Sequence, residues 1–169
     1  METLQANADV STAGDRGRHA IRVAVGTQLL SAAYLQFIEW VPVFPWNDLS
    51  NGNAQEVLDL VLAIAQIAFA ISFARGWRWP MAAGLAGYVA WFLLQLDSWW
   101  RPYLLGGRTI GPKWYFAKTY KFLPQIDHRP TPDAAHVVLQ ILLLLVIITG
   151  VRAWRATTAA KRSAVGNLH

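Results

Sequence analysis

VLDLVLAIAQIAFAISFA, residues 57–74, runs straight into RGWRWP, residues 75–80, and the fold turns on this stretch. The first part carries a single charge, Asp59, at its start. A helix rises about 1.5 Å per residue, so roughly 20 residues cross a hydrocarbon core ~30 Å thick. The second part is too short for anything but a tight turn, and Pro80 suits the first turn of a following helix. Together they predict an antiparallel pair of membrane-spanning helices.

Working outward, three more apolar segments of similar length appear: Ile21–Val43 before the hairpin's first helix, Pro80–Trp100 as its second, and Ala134–Val151 near the end. The fold class expected is an all-α integral membrane protein, a four-transmembrane-helix bundle. Its spans are residues 21–43, 57–74, 80–100 and 134–151, with a long extracytoplasmic loop over 101–133. Residues 1–20 read as a disordered tail, 21–155 as the membrane domain and 156–169 as a second tail. A 54% hydrophobic fraction with 15% charged residues suits a bilayer better than water. The chain has no cysteine, which excludes disulfides, thiolate metal sites and dithiol chemistry by its own side chains. Its basic residues are scattered at helix ends with no stripe or motif for base contact, so no nucleic-acid partner is expected.

Charge placement gives an orientation. Arg16, Arg18, Arg22, Arg75, Arg78, Arg152, Arg155, Lys161 and Arg162 fall at one end of the bundle, against Glu2, Asp9 and Asp15. The other end holds Arg101, Arg108, Lys113, Lys118, Lys121 and Arg129. The Lys/Arg bias predicts both termini on the cytoplasmic side. Most of the nine tryptophans lie near one interface or the other, as aromatic belts do. Small residues such as Ala83 and Gly87 in the third span suit close helix packing, so bulk at either is expected to harm a structural bundle.

The predicted outer face gathers acids. Glu39 ends the first span, and Glu56 and Asp59 share one face at the start of the second. Asp97 lies near the end of the third, four residues before Arg101. Asp133 and His136 open the fourth, with Gln140 one turn deeper. Asp133 follows Pro132 and suits a helix N-cap, and Glu56 suits a first turn. A charge within the membrane is costly, and such residues face a polar cavity or one another. Glu39, Glu56, Asp59 and Asp97 are the candidate catalytic acids or bases. Trp99, Trp100, Arg101, Tyr103 and His136 are candidates for holding a substrate. With only His128 and His136 on that side and no metal-ligand spacing, no metal is expected, and no cofactor. Gln28, Gln36, Gln66, Gln95 and Gln140 put an amide in every span, either as interhelical glue or as the lining of a polar path. In the loop, Lys113–Phe122 can form a short interfacial helix, lysines on one side and rings on the other. The whole connection reads as a lid.

The first segment, with Arg22-Val-Ala-Val-Gly26 followed by small residues and Phe37, resembles the opening helix of DoxX-like membrane proteins. The second, Glu56 leading an apolar helix that ends in Ala74-Arg75, is similar to that family's second helix. The likeness stops near Arg75. The lysine expected near the end of the first helix is absent, with Gln36 nearby, and the long aromatic loop is not a family feature. The resemblance implies a four-helix membrane fold and a link to respiratory or quinone-coupled redox systems, often as an accessory subunit.

Two functions follow from the residues. The first is a non-catalytic membrane component that handles a lipid or other lipophilic small molecule, or serves a partner subunit or a homo-oligomer. The alternative is a membrane-embedded enzyme using carboxylate acid–base chemistry, such as isomerisation, cyclisation or epoxide opening, on a lipophilic substrate.

Overall fold

The computed structural model describes residues 2–47, 56–107 and 118–166, with side chains over 14–47, 57–107 and 118–159. The helices are α1 (Glu2–Trp40), α2 (Glu56–Ala74), α3 (Arg78–Gln95), α4 (Arg101–Leu105) and α5 (Ala134–Gly166), and a π-helical turn over Leu96–Trp100 joins α3 to α4. Among the described residues four stretches are long and apolar enough to cross a membrane: Gly14–Trp40, Val57–Ala74, Arg78–Leu105 and Ala134–Ala159.

The first and last helices run beyond the expected spans. Residues 2–20 continue α1 rather than forming an irregular tail, and α5 runs on to Gly166. The added stretches are rich in Ala, with Leu, Gln, Glu and Arg, all good helix formers, and Arg18 pairs with Asp15 one turn away. Half of the interfacial helix expected over Lys113–Phe122 lies outside the described residues; the described half, 118–122, is a turn followed by irregular chain.

In the bundle α1 packs on α2, α2 on α3, α3 on α5 and α5 back on α1, closing a ring, with slight contact across it between α2 and α5. Two apolar clusters fill the ring. Toward the carboxylate end Leu35, Ile38, Tyr88, Ala135, Leu139, Leu143 and Val146 pack together. Toward the arginine end Ala24, Phe73, Met81 and Ala153 do so. Outside, Leu29, Leu30, Ile64, Ile67, Leu93, Leu94 and Ile141 form an exposed apolar band, of the kind that meets acyl chains or a partner.

The close approaches are not where composition alone put them. Met81, Gly84 and Tyr88 form the buried face of α3, whereas Ala83 and Gly87 are exposed on its outer face. A Cβ at Gly84 would stand 2.8 Å from the Phe69 ring of α2, and one at Gly150 of α5 would stand 2.7 Å from Leu85 of α3. Helix α3 does not stop at Gln95. Pro102 has no N–H to give to the carbonyl four residues back, and the ladder widens there: the Arg101 N–H bonds Leu96 O, five residues back. The extra residue turns α4 so that Trp99, Pro102 and Tyr103 are buried.

The loop returning to α5 is tied down. Arg129 donates to the carbonyls of Tyr103 (3.3 Å) and Leu104 (2.9 Å), satisfying the open end of α4. The Tyr103 hydroxyl donates to Pro124 O, and the Ala134 N–H to Tyr120 O, at 3.0 and 2.9 Å. Thr131, Pro132 and Asp133 are buried beneath it.

Candidate functional site

Asp133 is the first residue before α5 and acts as its N-cap: Oδ1 accepts the His136 N–H at 2.8 Å. The same carboxylate meets the His136 ring, with Nδ1 at 2.8 Å from Oδ1 and 2.9 Å from Oδ2. Thr119, from the returning loop, donates its hydroxyl to Oδ2 at 3.0 Å. No surface of Asp133 reaches solvent. Burial alone pushes its carboxyl up; the His136 charge, the His136 ring and backbone hydrogen bonds and the Thr119 hydroxyl together hold it below the ordinary 3.8. Lys121 donates to Thr119 O at 3.3 Å; burial lowers its ammonium value, and the Asp133 charge opposes that.

The His136 ring lies against Trp99, centroids 4.4 Å apart and planes inclined by 42°. Trp99 reaches it because the π-helical turn rotates this part of the helix inward. On the opposite wall the Tyr34 hydroxyl of α1 donates to Ala135 O at 3.0 Å, fixing α1 to the first turn of α5.

Two further acids come to this place. Glu39, in the last turn of α1, is 7% exposed, and Asp59, in the first turn of α2, is 4% exposed. Glu39 lies within electrostatic reach of both Asp59 and Asp133. Gln36 donates to Asp59 O at 3.3 Å. Asn47 holds the chain leaving α1: its Nδ2 donates to Ile38 O and Val41 O at 2.7 Å each, and its Oδ1 accepts the Val43 N–H at 3.0 Å. Three carboxylates and an imidazole therefore converge from α1, α2 and α5. A carboxylate that fixes one imidazole nitrogen sets the ring's tautomer and orientation.

Other sequence candidates lie elsewhere. Asp97 and Arg101 pair with each other at 2.6 Å, Arg101 exposed and Asp97 partly exposed on the outside of the bundle. Trp100 donates its ring N–H to Gln140 Oε1 at 2.7 Å, one turn below His136. Tyr103 packs edge-on against Trp100 and spends its hydroxyl on the loop. The Glu56 side chain is outside the described residues. Two members of the site were not among the candidates. Asp133 carried a signal, its three-residue spacing to His136, which the N-cap reading absorbed. Thr119 carried none, being a loop residue fourteen positions from its partner.

Among the described residues no group of three or more His, Asp or Glu side chains could hold a metal ion. Two open grooves of about 460 and 440 Å³ lie at the arginine end, one lined by Trp77, Arg78, Trp79 and Trp154, the other by Arg18, Arg22, Val25 and Ala74. Neither contains a carboxylate. The chain matches no family model, no curated protein and no solved structure.

Proposed function

We propose that this is a small multi-pass membrane protein that takes the polar end of a lipophilic molecule or lipid into the carboxylate end of its bundle, at the extracytoplasmic face. The observation that carries the reading is the buried convergence of Glu39, Asp59 and the Asp133–His136 pair from three helices beneath the returning loop. Acids so placed at the end of an apolar bundle suit recognition of hydroxyl, amine or carbonyl groups on a molecule that arrives through the membrane. Trp99 supplies an apolar wall beside the imidazole.

A second reading, a membrane-embedded acid–base enzyme, is favoured by one observation. Asp133 grips His136 through Nδ1, the arrangement by which a carboxylate prepares an imidazole for proton transfer. With Glu39 as the second proton-transferring group, the inventory suits isomerisation, cyclisation or epoxide opening. The family resemblance points instead to an accessory subunit of a quinone-coupled system.

Purification in mild detergent followed by native mass spectrometry separates these. The expected result is a bound lipid, quinone or isoprenoid, lost from Glu39→Gln and Asp59→Asn and kept by Asp97→Asn. A particle holding a partner subunit and no small molecule, unchanged by the Glu39 and Asp59 substitutions, would sink the ligand-handling reading in favour of an accessory one.

A further inference from the structure

Below the carboxylate cluster the bundle interior is not uniformly apolar. Gln140 Nε2, Gln95 Oε1, both amide atoms of Gln66, Ser31 Oγ, Gln28 Oε1 and the Tyr88 hydroxyl are all buried, and none has a hydrogen-bond partner. They come from α1, α2, α3 and α5, and their heights sort them into levels. At about 1.5 Å per residue, Gln140 and Gln95 stand roughly 6 Å below His136 and Trp99, Gln66 and Ser31 roughly 10–12 Å below Asp59 and Glu39, and Gln28 and Tyr88 roughly 16 Å down. A bond between Thr27 and Thr149, oxygens 2.8 Å apart, closes the series just beyond. On the far side of Thr149 a cavity of about 170 Å³ opens at the arginine end, lined by His19, Ala20, Val23, Thr149 and Arg152.

A buried polar atom without a partner is costly, and more so where lipid surrounds the bundle and offers no donor or acceptor. What satisfies these atoms has to be small. Gln28, Ser31, Gln66, Tyr88 and Gln140 are each no more than 5% exposed, so neither a lipid headgroup nor a second copy of the chain can reach them. Leu139, Leu143 and Val146 occupy the same core, which rules against a continuous pore and favours separate polar chambers.

We infer that water molecules are bound inside the bundle at three levels, held by Gln140 with Gln95, by Gln66 with Ser31, and by Gln28 with Tyr88. A buried water makes about three hydrogen bonds, so side chains from two helices at each level, with neighbouring carbonyls, suffice. The chambers extend the polar character of the carboxylate end down to the Thr27–Thr149 bond. This holds whichever molecule the carboxylate end handles, and it is tested without one.

The absence of cysteine makes an introduced thiol a clean infrared probe. Ser31→Cys alters one atom, Gln66→Cys reports the same level from α2, and Leu143→Cys is the dry control at matching depth. In D₂O, with the full chain in lipid vesicles, the S–H band at positions 31 and 66 is expected to convert to S–D at least about tenfold faster than at 143. A Ser31→Cys band as persistent as that of Leu143→Cys overturns the inference, and this variant decides alone if Gln66→Cys misfolds. The unsubstituted protein gives an independent reading: X-ray hydroxyl-radical labelling modifies residues beside bound water. Both residues are buried in apolar clusters, but only Tyr88 has an unpartnered hydroxyl, so Tyr88 is expected to be labelled far more than Phe73. Equal labelling of the two overturns it.

Discussion

Asp133 accepts hydrogen bonds from a backbone N–H, an imidazole and a hydroxyl while wholly buried, so replacing it leaves several partners stranded at once. Asp133→Asn is expected to cost about 1–3 kcal/mol of stability, read from thermal unfolding in detergent; Asp97→Asn, in an exposed pair, should cost under about 1 kcal/mol. The pH dependence follows from the sign of the shift. The folded protein holds the Asp133 carboxyl below its ordinary 3.8, so its stabilisation is complete above that value and lost progressively as the pH falls below it. Wild-type unfolding should therefore steepen below about pH 4, and Asp133→Asn should lack that component. Asn47 invites a second test. Its amide satisfies two carbonyls at the end of α1 and one N–H beyond it, so Asn47→Ala should lose about 1–3 kcal/mol in the same assay. Of these roles only the N-cap of Asp133 was legible in the sequence; its grip on the His136 ring and the bonds of Asn47 were not. The Asp133–His136 spacing suited an ordinary helix start, and an asparagine in a loop carries no sign of which carbonyls it will reach.

The helices themselves were legible, because a long apolar run in a chain this poor in charge has few other uses. What could not be read was which side of each helix faces inward. In water a buried face is marked by hydrophobic periodicity, but lipid is as apolar as a protein core, so the pattern that would separate Gly84 from Gly87 is erased. The π-helical turn was equally hidden, since Pro102 announces a break in the ladder without saying how the helix accommodates it. The same substitution at two glycines exposes the difference. Gly84→Ala drives a methyl into the Phe69 ring, whose nearest atoms stand 2.8 and 2.9 Å from the added carbon, and should cost about 1–3 kcal/mol. Gly87→Ala meets only ordinary contact at 3.9 Å and should be neutral or gain up to ~1 kcal/mol from helix propensity. Gly150→Ala should fall between, because the Leu85 methyl it meets can rotate aside. Equal effects at positions 84 and 87 would contradict the α2–α3 packing.

Across the whole molecule, the four long apolar helices alternate in direction, so the described ends of α1 and α5 fall at the same end of the bundle. The segment before Val23, the Arg75–Pro80 hairpin and the C-terminal part of α5 make an arginine end, and Glu39, Asp59, Asp133 and the loop from 118 make a carboxylate end. Charge bias predicts that the arginine end is cytoplasmic. The loop carries six basic residues against nine at the arginine end, so the bias is one of degree. Because the chain contains no cysteine, single replacements report sidedness without background. Trp79 is 87% exposed at the hairpin, and His128 is exposed in the loop. A membrane-impermeant maleimide applied to intact cells should label His128→Cys at once and Trp79→Cys only after lysis. The reverse pattern would invert the protein and turn the carboxylate site to the cytoplasm, where a soluble partner could reach it. Labelling of both positions in intact cells would contradict a four-span bundle, because a span must separate the hairpin from the loop for Glu39, Asp59 and Asp133 to meet at one end.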